Sequence, residues 1–228
     1  MNVNCMNEGG VNMLLQCLGH SKFLMTLSTG YRIVTDPFDV SAGYPVGHVR
    51  ADAVLVSHHH HDHDAVDTVQ GYTKVVDTAG VHTLEQDIQV TALSSFHDEV
   101  QGAKRGTNLI MVLLAEGLRI VHMGDLGHLP DDALMEKIGR PDLLLIPVGG
   151  FFTIDAEQAV TICEKLQPAV IIPMHYRTEY NASWPIAPLE EFLKVSKDRL
   201  KCQAEEVDCL RVTREDMRCQ PHMAILRP

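Results

Sequence analysis

A run of seven residues, His58–Asp64, holds five histidines and two aspartates and is the part of the sequence best suited to chemistry. Imidazole and carboxylate groups are common ligands of divalent metal ions. His58 and His60 are two residues apart, so an extended backbone would direct both imidazoles to the same side. Asp62 and His63 follow, and a turn can direct this pair toward a second point. The spacing therefore predicts two adjacent metal positions.

Three later residues have the type and place to complete such a site. Three or four protein donors usually hold each catalytic ion, whereas the run alone divides into two and two. His97 lies just beyond a predicted strand, Asp125 lies in a glycine-flanked turn after another strand, and His175 ends a fully apolar strand. Because loops at the ends of separate strands can converge, we expect these three side chains to meet the histidine-rich run.

Apolar runs and their periodicity predict the elements that must position these residues. The predicted strands cover residues 11–18, 22–28, 31–36, 53–56, 73–77, 87–93, 107–114, 118–124, 142–148, 169–174, 206–212 and 222–227. Predicted helices cover residues 131–138, 156–166 and 189–198, and residues 36–52 form a loop rich in glycine and proline. This order predicts a mixed α/β fold, a four-layer αββα sandwich of two mixed sheets flanked by helices.

Length and composition limit the class of protein. The 228 residues predict a single domain over residues 1–228. No apolar stretch reaches the roughly 18 residues of a membrane span, and no basic leader is present, so we expect a soluble, cytoplasmic protein without a membrane partner. A formal net charge of −11 disfavours nucleic acid as a partner. The composition is compatible with a homo-oligomer.

The six cysteines are scattered along the chain without C-x-x-C spacing. Scattered cysteines in apolar surroundings are typical of reduced thiols rather than of a disulfide scaffold. We therefore expect all of them to be unpaired: Cys5, Cys17, Cys163, Cys202, Cys209 and Cys219.

With these residues in order, the sequence resembles the metallo-β-lactamase superfamily. The resemblance rests on the motif H-x-H-x-D-H, then a single histidine, then an aspartate in a G-D turn, then a final histidine, each at a strand end. The segments GHSKF, TDPF, FHDEVQGAKRGTN, HMGDLGH and IPMHY look like the small bacterial metal-dependent hydrolases related to ascorbate-6-phosphate lactonase. The resemblance spans nearly the whole chain and implies the metallo-β-lactamase fold and a metal-dependent hydrolase.

Carried over position by position, the resemblance also implies a ligand set for two metal ions. The implied ligands are His58, His60 and His97 for the first ion, Asp62, His63 and His175 for the second, and Asp125 as a bridge between both. A bridging carboxylate lets two cations approach within about 3.5–4 Å. Nitrogen and oxygen donors of this kind suit zinc or manganese, with iron the less favoured alternative.

Two such ions would lower the pKa of a water molecule from about 15.7 toward neutrality, so a metal-bridging hydroxide is the expected nucleophile. One ion would also polarise the carbonyl or phosphoryl oxygen under attack. Asp62 is expected first as a ligand and second as a catalytic group that orients the hydroxide and passes a proton to the leaving group. The expected substrate is a small, anionic ester, lactone or phosphoester.

Other polar residues near these motifs have less specific surroundings. Asp36 ends a strand before a proline and is expected both to form the turn and to accept a hydrogen bond from a ligand imidazole. His128 either lies beside the metals or caps the helix that begins near Asp131, and His20 is a loop residue or lies at the rim of the pocket. The other histidines are expected in the core (His122), in packing or solvent (His59, His61) or at the surface (His48, His82, His222).

The segment QGAKRGTN, residues 101–108, lies between His97 and the next strand and is therefore tethered close to the metals. The guanidinium of Arg105 suits a carboxylate or a phosphate, and Asn108 can add a hydrogen bond, so both are expected to bind substrate. The alternative is that Arg105 pairs with a surface acid such as Glu99.

Three other functions compete with a small-molecule hydrolase. A metallo-β-lactamase-fold nuclease that cleaves RNA phosphodiesters is the main alternative, although the sequence shows neither a basic surface nor an RNA-clamping insertion. An iron oxidoreductase on the same scaffold would more typically carry glutamate in place of His60. A noncatalytic metal-binding protein would lack a ligand, and none is missing from the pattern.

Overall fold

The computed structural model of the chain describes residues 13–213 and 222–228. The described strands are β1 (Met13–Gly19), β2 (Lys22–Leu27), β3 (Arg32–Thr35), β4 (Val49–Arg50), β5 (Ala53–Leu55), β6 (Val69–Gln70), β7 (Lys74–Val76), β8 (Gly80–Glu85), β9 (Ile88–Phe96), β10 (Thr107–Ala115), β11 (Leu118–His122), β12 (Leu143–Pro147), β13 (Val170–Met174), β14 (Gln203–Val207), β15 (Leu210–Val212) and β16 (His222–Leu226). The described helices are α1 (Asp132–Ile138), α2 (Ala156–Leu166) and α3 (Leu189–Arg199), with single 3-10 turns at Val40–Ala42 and Val66–Thr68.

Two large mixed sheets form the centre of the molecule, as the sequence predicts. One sheet has six strands in the order β15-β1-β2-β3-β5-β7, antiparallel from β15 to β3 and parallel from β3 to β7. The other has eight strands in the order β14-β16-β13-β12-β11-β10-β9-β8, parallel from β14 to β11 and antiparallel from β11 to β8. The mixed α/β architecture of two facing sheets is therefore confirmed.

The period of two along each strand determines which side chains form the core. In β10, Met111 and Leu113 face the other sheet, whereas Ile110 and Val112 face the helices. All four are almost fully buried. Burying each such side chain contributes about 1.5–3 kcal/mol to the stability of the fold. This strand therefore contributes to the core on both faces of its sheet.

The outer layers of the two sheets differ. All three helices pack on the eight-stranded sheet, where α2 buries one apolar face and begins at Asp155 with a capping box that includes Gln158. Over the six-stranded sheet, the described residues place a two-stranded ribbon of β4 and β6 and the 3-10 turn at Val66–Thr68. The outer layer on that side is thus built mostly from β-structure and turns.

The sequence patterns miss some elements. Strand β8 and the β4–β6 ribbon have no predicted counterpart, and β4 and β6 have only two residues each. The segment predicted as one strand over residues 206–212 is interrupted at Asp208–Cys209, and its two parts belong to different sheets. Within the described ranges, no helix is long and apolar enough to cross a membrane.

The cysteines in the described residues include the free thiols Cys17, Cys163 and Cys202. Burial raises the pKa of the Cys17 thiol to about 12, which makes it a poor nucleophile near neutral pH. Cys5 and Cys219 lie outside the described residues, as do the first two residues of the strand predicted over 11–18.

Strand direction brings the polar residues to one edge of the molecule. Strands β9, β11 and β13 run the same way, because β10 is antiparallel to both β9 and β11 while β11, β12 and β13 are parallel. Their ends precede His97, Asp125 and His175. Strand β5 of the other sheet ends shortly before His58. The candidate site therefore lies where the edges of the two sheets meet.

Candidate metal centre

The seven residues implied as ligands meet at this edge. The donor atoms lie within 4.8 Å of one another in three overlapping groups, namely His58, His60 and His97; His20, Asp62, His63 and His175; and His58, His63 and Asp125. The first and second groups match the two metal positions that the spacing predicts, with His20 as an addition. The third group connects them.

Asp125 occupies the centre of the cluster. Its Oδ2 atom lies 3.0 Å from His175 Nε2, 3.3 Å from His63 Nε2 and 3.4 Å from His97 Nε2. The carboxylate is buried, and its Oδ1 atom has no hydrogen-bond partner. Burial alone would raise the pKa of Asp125, but the imidazoles of His175 and His63 hold it well below the ordinary value. An ionised carboxylate therefore faces donors of both groups, as a bridge between two cations requires.

Asn108 holds Asp125 in place, which corrects the expectation that Asn108 binds substrate. Its Oδ1 accepts a hydrogen bond from the backbone N–H of Asp125 at 2.9 Å, and its Nδ2 donates to Ser95 Oγ and Met123 O, both at 2.9 Å. The residue is fully buried, so no amide atom faces the cleft. Gly124 makes this contact possible, because an added Cβ would lie 2.3 Å from Asn108 Oδ1. Asn108 acts through Asp125.

Asp36 and Ser57 contact two of the imidazoles at Nδ1. Asp36 Oδ2 lies 2.9 Å from His63 Nδ1, and its two oxygens accept hydrogen bonds from the N–H and hydroxyl of Ser57 at 2.7 Å. Ser57 Oγ in turn lies 2.9 Å from His58 Nδ1. These contacts use the Nδ1 atoms and leave both Nε2 atoms directed toward the cluster, an arrangement typical of metal-binding histidines.

The remaining donor atoms explain why a cation fits this cluster. Buried polar atoms almost always have a hydrogen-bond partner, and those without one often face an ion or water. The buried side-chain atoms of the cluster that lack a hydrogen-bond partner are both ring nitrogens of His20 and of His175, Nε2 of His58 and of His63, Nδ1 of His97, and Oδ1 of Asp125. Six side chains of the cluster thus carry nitrogen or oxygen atoms without a hydrogen-bond partner, and such donors are typical of a divalent metal centre.

His20 is not among the predicted ligands. Its sequence context predicts a loop residue or a position at the rim of the pocket. The structure places it inside, in the turn between β1 and β2, with its side chain fully buried. Its Nε2 lies 3.5 Å from Asp62 Oδ2, and its ring centroid lies 4.2 Å from that of His175. Burial, together with the neighbouring His175, lowers the pKa of His20 to about 4, so the imidazole is neutral near pH 7.

A cleft of about 630 Å³ opens over the cluster. His60, Asp62 and Asp125 are among its lining residues on the metal side. Its other lining residues include Lys104, Arg105, Phe152 and Trp184, which together we call the cleft wall. This volume lies in the range typical of small-molecule sites, about 300–1,000 Å³.

Arg105 lies on the cleft wall rather than in a surface ion pair with Glu99. Its guanidinium carbon is 5.5 Å from the centre of the Phe152 ring, within the range of a cation–π contact. Glu99 instead pairs with Lys104, whose Nζ is 3.1 Å from Glu99 Oε1. Arg105 therefore presents its charge beside an aromatic surface of the cleft.

Asp98 shapes the loop that carries these basic residues. Its carboxylate accepts hydrogen bonds of 2.7–2.9 Å from four backbone N–H groups, those of Val100, Gly102, Lys104 and Arg105. Burial raises the pKa of Asp98, but the N–H groups of Arg105 and Lys104 outweigh it and bring the pKa down to about 2. The loop is thus organised around one carboxylate.

His128 does not touch the cluster, which corrects its expected place beside the metals. Its Nε2 accepts a hydrogen bond from the backbone N–H of Phe96 at 3.3 Å, and its Nδ1 contacts Leu129 O. It does not cap α1 either, because Asp131 caps that helix through the N–H of Leu134.

The remaining histidines lie where the sequence places them in most cases. His122 is in the core, with Nε2 on Ser21 O and Nδ1 accepting from the N–H of Gly124. His59 and His61 point to solvent, although both also line the mouth of the cleft.

Comparisons with known proteins agree with this geometry. A sequence profile of the beta-lactamase superfamily domain matches residues 14–175. Proteins described as UPF0173 metal-dependent hydrolases are 31% identical over 188 residues in Methanoculleus marisnigri (73% of this chain, 82% of that protein) and 29% identical over 196 residues in Archaeoglobus fulgidus (73% and 84%).

Solved structures agree as well. A protein from Thermotoga maritima, assigned as a zinc-dependent hydrolase of the metallo-β-lactamase superfamily, superposes with a TM-score of 0.77 at 32% identity and covers 94% of this chain and 98% of its own. A metallo hydrolase from Ignicoccus hospitalis, at 22% identity and a TM-score of 0.60, covers 82% of this chain and 91% of its own and shares the fold.

Proposed function

Because this chain belongs to the β-lactamase superfamily and to its UPF0173 group of metal-dependent hydrolases, we propose that it is a hydrolase with a dinuclear metal centre. The observation that carries the proposal is the place of Asp125. Its Oδ2 lies within 3.4 Å of His97 in one donor group and of His63 and His175 in the other. One carboxylate in that position can be shared by two cations, each with three further donors.

The donor set supports zinc or manganese as the resident ions. It contains imidazole nitrogens and carboxylate oxygens, and the described part of the cluster contains no thiolate. Such donors serve both metals, and cellular availability decides between them. When bound, two divalent cations would lower the pKa of a water molecule and polarise the oxygen of the bond to be cleaved.

The residues of the chain provide the rest of the chemistry. Asp62 lines the cleft, and its carboxylate is held near His20 and His63, whose contacts keep its pKa below the ordinary value although burial opposes this. It is therefore ionised near neutral pH and can accept a proton from the attacking water and pass it to the leaving group. Asp36 and Ser57 keep two imidazoles in fixed orientations, so little reorganisation accompanies the reaction.

The cleft wall supports a small anionic substrate. Arg105 and Lys104 add positive charge to the lining of the cleft, in a chain whose net charge is −11. Phe152 and Trp184 add apolar surface to the same wall. An ester, lactone or phosphoester with an acidic group would place that group on Arg105 and its reacting carbonyl or phosphoryl group over Asp125. The resemblance to ascorbate-6-phosphate lactonase stays a prediction.

A metal analysis and a substrate screen test this function together. Elemental analysis of the purified protein should find about two zinc or manganese ions per chain. The loaded protein should hydrolyse members of a panel of anionic esters, lactones and phosphoesters and should leave single-stranded RNA intact. Binding of one ion or fewer after reconstitution with both metals would contradict the dinuclear centre. Cleavage of RNA without hydrolysis of any small molecule would favour the nuclease.

A further inference from the structure

His20 is a buried imidazole whose two nitrogen atoms both lack a hydrogen-bond partner. Its side chain is fully buried. An unsatisfied polar group in that environment costs free energy, so it is retained only where something else uses it. By contrast His122, another buried imidazole near the cluster, has both nitrogens bonded, to Ser21 O and to the N–H of Gly124. The free nitrogens of His20 therefore need a separate explanation.

The surroundings of His20 supply one. Its Nε2 is 3.5 Å from Asp62 Oδ2, a distance too long for a strong hydrogen bond but suited to two donors that share a cation. Donor atoms of His20, Asp62, His63 and His175 all lie within 4.8 Å of one another. The ring centroid of His20 is 4.2 Å from that of His175 and 5.0 Å from that of His63. The nitrogen faces the same point as three expected ligands.

The backbone and neighbouring rings hold His20 in this orientation. His20 lies in a tight turn with a φ of +54°. Residues other than glycine rarely adopt this backbone conformation, so surrounding contacts must stabilise it. The indole ring of Trp184 packs edge-on against the imidazole, with centroids 5.2 Å apart, and Tyr44 lies on another side. The orientation of the ring is therefore fixed before any ligand binds.

We infer that His20 is a fourth protein ligand at the metal position formed by Asp62, His63 and His175. The inference rests on the proposed dinuclear centre and assigns a difference between its two positions. The position with His20 has four protein donors even without Asp125, which is the number of a closed site. The position of His58, His60 and His97 has three, and His60 is exposed to the cleft. The four-donor position should bind its ion more tightly, and the position of His58, His60 and His97 should keep a coordination place for water or substrate.

Two variants separate ligation from packing and from hydrogen bonding. His20→Phe keeps a ring against Trp184 and His175 but removes both nitrogens. His20→Gln keeps an amide N–H that can reach Asp62 but is a poor metal ligand. Zinc release from the loaded proteins to increasing concentrations of a chelator gives two affinities for each protein. Thermal unfolding measures whether each variant is folded. If His20→Phe does not fold, His20→Gln alone serves as the test.

The expected result is a loss of at least tenfold in affinity for one zinc ion in both variants, with the other ion changed less than twofold. Cobalt-substituted wild-type and variant proteins supply a second readout, because d–d absorption grows stronger as a ligand is lost. The cobalt spectrum should change in both variants. Trp184→Phe is the matched control, because it alters the ring contact of His20 without removing a nitrogen donor, and both affinities should stay at the wild-type values.

Other outcomes decide against the inference. Unchanged zinc affinities and an unchanged cobalt spectrum in a folded His20→Phe protein would overturn it. If His20→Phe lost zinc affinity while His20→Gln kept the full wild-type affinity, His20 would act through a hydrogen bond to Asp62 and not as a ligand. That result would also overturn the inference. Wild-type protein that binds a single zinc ion would refute the dinuclear proposal alone, and a tenfold loss of that ion in both variants would still support His20 as its ligand.

Discussion

The floor and the wall of the cleft are built in different ways. The site floor, which we define as Asp36, Ser57, Asn108 and Asp125, is buried, and its side chains hydrogen-bond to neighbouring elements of both sheets. The cleft wall of Lys104, Arg105, Phe152 and Trp184 lies on loops beyond the strands. Its basic residues depend on one carboxylate, that of Asp98, for their backbone path.

This difference separates two properties of the enzyme. A floor held by many mutual hydrogen bonds determines where the metal-binding side chains lie, so changes there should affect chemistry and metal content together. A wall carried by loops can change its side chains without moving the metals, so changes there should affect which substrate binds. Substitutions at Asp125, Asn108, Arg105 and Asp98 test this separation.

The largest effect should come from the centre of the floor. Asp125→Ala removes the carboxylate that faces both donor groups, so it should abolish hydrolysis and release most of the bound metal, more than the roughly 10–100-fold loss typical of an outer partner. His60→Ala should also abolish hydrolysis but lose less metal, because its donor group is only one of two. Elemental analysis and activity of both proteins measure the difference. Full activity in either variant would refute its assignment as a ligand.

The next effect should come from Asn108, which touches no substrate. Asn108→Ala should weaken metal binding about 10–100-fold, as expected for a residue that positions a ligand. It should also destabilise the protein by about 1–3 kcal/mol, because the N–H of Asp125 loses its partner. Chelator competition and denaturant unfolding measure the two effects. Ser95→Ala, which removes a hydroxyl bonded to Asn108 but leaves the bond to Asp125, is the control and should keep nearly the full metal affinity.

A smaller effect, confined to substrate, should come from the wall. Arg105→Ala should lower kcat/KM for an anionic substrate by about tenfold, or about 1.4 kcal/mol, with metal content unchanged. Arg105→Lys should recover only part of this loss, since an ammonium group lacks the planar fork of guanidinium. Lys104→Ala should change kcat/KM less, because Lys104 is paired with Glu99. Unchanged kinetics in Arg105→Ala would return this loop to a structural role.

The smallest effect should come from Asp98, and it should depend on pH. Its pKa of about 2 in the folded protein lies below the value of about 3.9 expected in an unfolded chain. The carboxylate therefore stabilises the fold above pH 4, and this contribution is lost as the pH falls toward 2.

The variant Asp98→Asn tests this contribution. The difference in free energy of unfolding between wild type and Asp98→Asn should be constant above pH 5 and should shrink between pH 4 and pH 2. The same variant should raise KM a few-fold near neutral pH without loss of metal, because the path of the loop at Arg105 relaxes. A difference that does not vary with pH would show that the four N–H contacts do not stabilise the carboxylate.

Floor and wall were also unequally predictable from the sequence. The strand ends before His58, Asp125 and His175 follow from local sequence, because a short continuous apolar run is typical of a buried strand whatever its partners. The role of Asn108 could not be predicted in this way. It stands three residues after Arg105, but the register of β10 turns its side chain inward, and only the pairing with β9 and the turn at Gly124 gives it partners.

His20 shows the same limit. Its sequence context, a glycine and a serine between two strands, indicates a tight turn and gives no sign of what the turn faces. The place of that turn beside His175 depends on how the two sheets pack, which involves residues more than 150 positions apart. The prediction that His128 lies beside the metals is wrong because it relied on closeness in sequence. His128 is three residues from Asp125, but its side chain contacts the N–H of Phe96 instead of the cluster.

The pairing of β15 with β1 has a consequence for how the chain acquires this structure. Leu210–Val212 pair with Met13–Leu15, so this edge of the six-stranded sheet closes a loop of almost 200 residues. Contacts so far apart in sequence are slow to form, and domains emerge from the ribosome amino-terminal end first. All the proposed ligands, up to His175, are therefore synthesised while β1 is still an unpaired strand edge. During that interval the nascent chain exposes an apolar edge to other chains, and among the described residues β15 covers that edge.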